Sequence, residues 1–337
     1  MFLNALRREA SRAESTPDND NLQLRQPPTP AVELAAERFR ELAIWLILAG
    51  SVIAIALALQ SGVNVDFRGT SEICLLIAGL LLASRIWVNK RIDRRIADAI
   101  GVIAVAAMGG MTGGALAMLE LRLHFPVADA MLQSWDHQLG VDGIAIVGAL
   151  VHDYNWTFTF MQPAYNYTIE IFFAGLIVLA LRGDRIEAWR AAFCFVGTLL
   201  TTCLIAAFFP AKGIGIWAPP ELLADMAPQA MRNFWPHFDE FYYGSDPVLR
   251  LQVIDGVISF PSFHTVVGLL IFAMWRRNVV TCALAAAFLG FMLLAIFPGG
   301  GHYFVDLLGG LAAWAGWYAL SRHIERKATP QMALVAA

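Results

Sequence analysis

Two histidines and an aspartate in this 337-residue chain stand where side chains can make and break bonds. In the stretch Gly299-Gly300-Gly301-His302-Tyr303-Phe304-Val305-Asp306, His302 and Asp306 are spaced i, i+4 and so share one helix face. A carboxylate there accepts the proton of one ring nitrogen and leaves the other as a nucleophile or base. The glycines before the helix leave backbone N–H groups and a positive dipole end, which suit an anion. A second stretch, Ser259-Phe260-Pro261-Ser262-Phe263-His264-Thr265, opens on a proline that suits a helix start. Ser262 offers a hydroxyl beside the first-turn N–H groups, and His264 follows it. A third, Phe208-Phe209-Pro210-Ala211-Lys212-Gly213, supplies one cation, Lys212. Each residue alone also has a structural reading: Asp306 as a helix-start acid, the histidines as interfacial side chains, Lys212 as a snorkelling lysine.

The elements that must position these groups follow from composition. The chain is 58% hydrophobic and 15% charged, with a mean hydropathy of +0.58, whereas soluble domains run near about 45–50% and 25%. The apolar excess gathers in blocks of roughly 18–22 residues, the length that crosses a ~30 Å hydrocarbon core. The blocks fall at 42–60, 70–88, 97–119, 164–181, 190–209, 261–275, 278–297 and 303–321. They predict an all-α polytopic membrane bundle of about eight spans, the last six or so forming the catalytic core. Segment 142–152 is apolar but too short to cross, which suits a re-entrant or interfacial helix. The chain divides into an amino-terminal tail over 1–41, additional spans over 42–119, a catalytic membrane domain over 120–325 and a tail over 326–337. The first tail is polar and rich in Pro, Asp and Asn over 13–33, a composition that predicts disorder there, and it lacks a signal peptide's apolar core.

Charge sets the orientation. Of the 24 Lys and Arg, all but Arg68, Arg122, Lys212, Arg232 and Arg250 fall on one side if the spans alternate from a cytoplasmic amino terminus. The positive-inside rule then puts both termini in the cytoplasm and the three reactive stretches at the outer, periplasmic or lumenal, face. Two long outer segments, 120–163 and 210–260, are rich in aromatic residues such as Phe234-Trp235-Pro236 and Phe241-Tyr242-Tyr243. Most of these read as headgroup-level anchors, a few as the wall of a lipid-headgroup vestibule. No basic arm carries interleaved aromatic residues, which argues against nucleic-acid binding. Cys74, Cys194, Cys203 and Cys282 lie inside apolar blocks without metal-ligand spacing and read as small core residues.

The order Lys212, then Pro261-Ser262-Phe263-His264, then His302 with Asp306, each at the outer end of a successive span, resembles the type 2 phosphatidic acid phosphatase superfamily. Phe263 and Tyr303 beside the two histidines look more like its inositolphosphorylceramide-synthase branch. The resemblance covers roughly residues 125–325, and Asp136-His137-Gln138-Leu139-Gly140 looks like the segment before that family's core spans. It implies that His302 attacks phosphorus and forms a phosphohistidine, with Asp306 orienting it. His264 would protonate the leaving oxygen and then activate water or an alcohol, while Ser262 and Lys212 bind non-bridging oxygens. It implies no metal or other cofactor, and a lipid phosphate or phospholipid as substrate, drawn from the bilayer. The reaction is then hydrolysis of a lipid phosphoester or transfer of a phospho-headgroup, as in an inositolphosphotransferase of sphingolipid metabolism. The phosphatase branch carries an arginine six positions before its last histidine. Here that position is Ile296, and Arg250 is the candidate substitute. The first cluster also lacks the family's Lys-x6-Arg-Pro form.

Two other classes compete. His264, His302 and Asp306 are also a two-histidine, one-carboxylate ligand set for a metal-dependent membrane hydrolase, which chelation would expose. Glu170, near Tyr165, Asn166 and Tyr167, is the intramembrane acid expected of a non-catalytic lipid transporter, or else a hydrogen-bond partner packed inside the bundle.

Overall fold

The computed structural model describes residues 30–89, 93–227, 230–251 and 256–328, and almost all of its regular structure is helical. Helices satisfy their own backbone groups, which a hydrocarbon solvent demands. The amino-terminal part holds α1 (Pro30–Ser61), α2 (Phe67–Asn89) and α3 (Arg94–Leu119). Next come α4 (Asp129–Gln138), α5 (Gly143–His152), α6 (Phe158–Asn166), α7 (Thr168–Leu181) and α8 (Arg185–Ala206). The short α9 (Pro220–Ala224) and α10 (Trp235–Tyr242) precede α11 (Phe263–Trp275), α12 (Val279–Ala295) and α13 (Phe304–Ala328). Two short strands, β1 (Asn64–Val65) and β2 (Val248–Leu249), pair in parallel with Asn64 opposite Val248 and Val65 opposite Leu249.

Among the described residues, four helices are long and apolar enough to cross a membrane: Glu33–Ser61, Arg94–Leu123, Arg185–Ala206 and Val279–Gly300. The pair α6 and α7 is long and apolar enough only when taken together, and it is bent by 64° between the two, the geometry of a broken span or of a re-entrant loop. The stretches expected at 70–88 and 261–275 carry shorter apolar helices, Cys74–Ile86 and Phe263–Trp275, and α13 occupies the last. The chain is thus an all-α, polytopic integral membrane protein. The continuous helix expected over 164–181 is instead broken at Tyr167. There the Thr168 hydroxyl donates to the Ala164 carbonyl at 2.6 Å, in place of a backbone N–H. Helix α1 starts at Pro30, inside the stretch expected to be disordered; the rest of that stretch lies outside the described residues.

The core follows from which helices are central. In α3 and α8 the most apolar window is 61% and 78% buried, against 22% in α1 and in α12. Small residues let the central pair approach closely. A methyl group on Gly109 or Gly113 would lie 2.5 or 2.4 Å from the side chain of Val196 or Leu199. The outer helices present Val52, Leu59, Leu75 and Val279 at their surface, as lipid-facing helices must. At one end of the bundle Asp98 accepts Arg185 Nε at 2.8 Å and Trp189 Nε1 at 2.9 Å. Arg190 there joins Glu187 at 2.6 Å and Glu325 at 2.8 Å. Glu170 takes no part in the interior: it is exposed in the first turn of α7, where a carboxylate suits the helix dipole.

Candidate active site

The opposite end of the bundle gathers the reactive stretches, and Asp306 is their hub. Its side chain is fully buried. Oδ2 accepts the Ser259 hydroxyl at 2.7 Å, the Tyr303 backbone N–H at 2.9 Å and His302 Nδ1 at 3.1 Å. Its carbonyl accepts the Ser262 N–H at 2.9 Å, which docks the start of α11 on the start of α13. His302 Nδ1 also lies 3.0 Å from the Ser259 carbonyl. Both partners of Nδ1 are acceptors, so Nδ1 carries the hydrogen and donates. In the neutral ring Nε2 is left with the lone pair, which is the tautomer a nucleophile requires.

The helix start was expected to cradle an anion with free N–H groups. The structure fills that cradle with its own carboxylates. Phe304 N and Val305 N donate to Asp136 at 2.7 and 2.9 Å, and Tyr303 N is taken by Asp306. Gly301 N and His302 N turn back to Phe297 and Ile296 carbonyls at 3.0 and 3.4 Å. Asp129 does similar work across the loop: it accepts Lys212 N at 3.0 Å, Gly213 N at 2.8 Å and the Tyr303 hydroxyl at 3.0 Å. Burial pushes the carboxyls of Asp129 and Asp136 above the ordinary aspartate range, opposed by these same N–H donors. Neither acid was singled out from sequence as a site residue. The available signal was their i, i+7 spacing, which puts both on one face of α4.

The Lys212 loop is locked to the histidine loop backbone to backbone. Ile214 N donates to Gly301 O at 2.7 Å. Gly213 has φ +81°, and a Cβ there would lie 2.2 Å from Gly301 O. Gly213→Ala is therefore expected to destabilise the protein by at least about 2 kcal/mol. Thermal unfolding in detergent would read this as a clear fall in Tm.

His302 and His264 line one cavity of about 640 Å³, walled also by Asn233, Phe234, Phe263 and the small residues of α3. The first turn of α11 opens on it through Phe263 and His264. Tyr165, delivered by the break between α6 and α7, stacks on the His264 ring with centroids 4.3 Å apart and planes 19° apart. Its contact with His264 was not foreseen, because no sequence period reports a broken helix. Tyr165→Ala is expected to lower kcat by roughly tenfold through loss of ring orientation, and Tyr165→Phe to retain most activity. A pH–rate profile displaced in the alanine variant and restored in the phenylalanine variant would mark Tyr165 as a positioning residue.

The remaining candidates sit apart from this cavity. Ser262 is fully buried as the N-cap of α11, its hydroxyl oxygen accepting Thr265 N at 3.3 Å. Lys212 Nζ pairs with Asp239 at 2.5 Å and lies within 5.3–5.8 Å of the Trp235, Phe238 and Tyr243 ring centres. Arg250 lies half-exposed, 3.5 Å from Glu240. Ile296 is fully buried among apolar side chains. Among the described residues that line the cavity none is Lys or Arg. No group of three His, Cys, Asp or Glu among the described residues is arranged to hold a metal ion.

Comparison with curated proteins and with solved structures returns no significant match. A family model described as the PAP2 superfamily matches residues 130–320, which hold all of α4 but Asp129, the helices through most of α13, and Asp306 with its partners Ser259, Ser262, His302 and Tyr303. With more than half of its length matched, the chain belongs to the PAP2 superfamily and shares that family's lipid phosphatase-type function.

Proposed function

We propose that this protein cleaves a lipid phosphoester by forming a phosphohistidine on His302, in a site open to the outer leaflet. The observation that supports this most is the tautomer. Nδ1 of His302 meets only acceptors, so Nε2 presents a lone pair to the cavity shared with His264. In the first step Nε2 attacks phosphorus and the P–O bond to the leaving group breaks. The leaving oxygen takes a proton from the imidazolium of His264. In the second step the now neutral His264 removes a proton from water or an alcohol, whose oxygen attacks phosphorus as the P–N bond breaks. Asp306 holds the imidazolium form of His302 as charge develops on it. Ser262 and Lys212 are assigned to non-bridging oxygens, with Arg250 replacing the arginine missing at Ile296. For the two cations that role requires exchange of Asp239 and Glu240 for phosphate.

A specific observation favours a second form of the reaction, headgroup transfer of the inositolphosphotransferase type. Among the described residues the cavity lining holds no Lys or Arg, and Ile296 is apolar and buried. Such a site carries one negative charge at lower cost than two, which suits a phosphodiester better than a phosphomonoester. The test is incubation of the purified protein with phosphatidic acid or phosphatidylinositol, with and without ceramide or diacylglycerol. Release of phosphate from phosphatidic acid, or of inositol phosphate from phosphatidylinositol, is the result expected for hydrolysis, and a new phospholipid that appears only with the acceptor is expected for transfer. Activity that EDTA abolishes and a divalent ion restores would contradict the phosphohistidine route in favour of metal-dependent hydrolysis.

A further inference from the structure

A second cavity of about 580 Å³ lies between α1, α2 and α3 and is walled by residues such as Ile55, Leu59, Ile77, Leu81 and Met108. Its hydroxyls are those of Ser51 and Thr112, which bond each other at 3.3 Å, so the walls offer a ligand almost nothing but hydrocarbon. Met111 and Leu251 line both this cavity and the one that holds His264 and His302. Helix α3 is the partition: Gly110, Gly114 and Ala117 face the histidines, while Met108, Thr112 and Ala115 face the apolar side. The pairing of β1 with β2 and a 2.6 Å bond from Asn64 to Asp246 fasten the α1–α2 hairpin to the segment that supplies Leu249 and Leu251. The family match begins at residue 130, so α1, α2 and α3 lie outside it.

We propose that this apolar chamber holds a hydrocarbon chain of the lipid whose phosphate is seated between His264 and His302. This rests on the reading of the histidine cavity as a lipid-phosphate site. The chemistry of an amphiphile supplies the argument. A phosphate held in a polar cavity needs an adjoining dry space for its chain, and apolar area removed from water or headgroups drives that placement. Both volumes fall within the range of roughly 300–1,000 Å³ usual for small-molecule sites. The two spaces adjoin at Met111 and Leu251, so a lipid with its phosphate in one and its chain in the other crosses beside these side chains, of which Met111 is a flexible thioether.

The experiment uses the full chain in detergent. Ala58→Phe and Ala78→Phe put a ring into the chamber away from the histidines. The ratio of kcat/KM for dioleoyl over dibutyryl phosphatidic acid is expected to fall at least about tenfold in these variants. A ratio equal to wild type in a folded, active variant overturns the chamber and leaves the proposed chemistry intact. A second measurement needs neither turnover nor a variant. Cys74 lines the chamber, so its alkylation by N-ethylmaleimide, read by peptide mass spectrometry, is expected to slow severalfold with dioleoyl phosphatidic acid. Dibutyryl phosphatidic acid and dioleoylglycerol are expected not to slow it. Equal protection by dioleoylglycerol, or none by the long-chain lipid phosphate, overturns the inference. Protection at Cys74 without turnover of any phosphoester would instead uphold the chamber and reject the proposed reaction.

Discussion

His302→Ala is expected to remove turnover, by about 10⁴-fold or more in kcat, because the group that forms the covalent bond to phosphorus is gone. The fold should survive the change. Asp306 keeps the Ser259 hydroxyl and the Tyr303 N–H as partners, so the buried carboxylate is not stripped of its donors. A monodisperse variant with near-wild-type Tm and no activity is the expected outcome, checked by size exclusion, thermal unfolding and phosphate release. A purified variant with wild-type activity would remove His302 from the mechanism.

His264→Ala is expected to slow lipid phosphoester cleavage by roughly 10²–10⁴-fold, the usual worth of one general acid–base group. The loss should depend on the leaving group. A phosphate ester of a nitrophenol leaves without protonation, so its first step should be far less affected, and the covalent intermediate should then accumulate. A rapid burst of nitrophenol followed by a slow steady state would show this. An equal loss for lipid and aryl esters would mean that His264 binds the substrate and does not transfer the proton.

Much of this architecture is legible in the sequence because a bilayer leaves few choices. Apolar blocks long enough to cross must be helices, and α1, α3, α8 and α12 stand where the blocks fall. His302 and Asp306 do pair, at 3.1 Å, but not as neighbours on one helix face: His302 lies in the loop before α13, and the Asp306 carboxylate reaches back from the first turn to it and to the Tyr303 N–H. The loops are different. Asp129 and Asp136 hold the histidine loop, but a buried acid that caps a distant helix looks in sequence like any surface acid. The anion cradle expected at the glycines is filled by Asp136 and Asp306, because a helix N-terminus attracts the nearest carboxylate whatever its origin. Lys212 and Ser262 lie outside the cavity lining, since spacing along the chain does not fix which carboxylate or N–H claims a side chain. The break at Tyr167, just after the Tyr165 that stacks on His264, falls inside a continuous apolar block, and hydropathy does not report that the Thr168 hydroxyl takes up the Ala164 carbonyl.

The central claim is a covalent bond between His302 and phosphorus. It is tested most directly by brief reaction of the His264→Ala protein with a nitrophenyl phosphate ester, an alkaline quench that preserves phosphohistidine, and peptide mass spectrometry. The account predicts a phosphoryl adduct on the peptide that contains His302, absent when His302→Ala is added. Turnover with no adduct, or with an adduct at another residue, would contradict it.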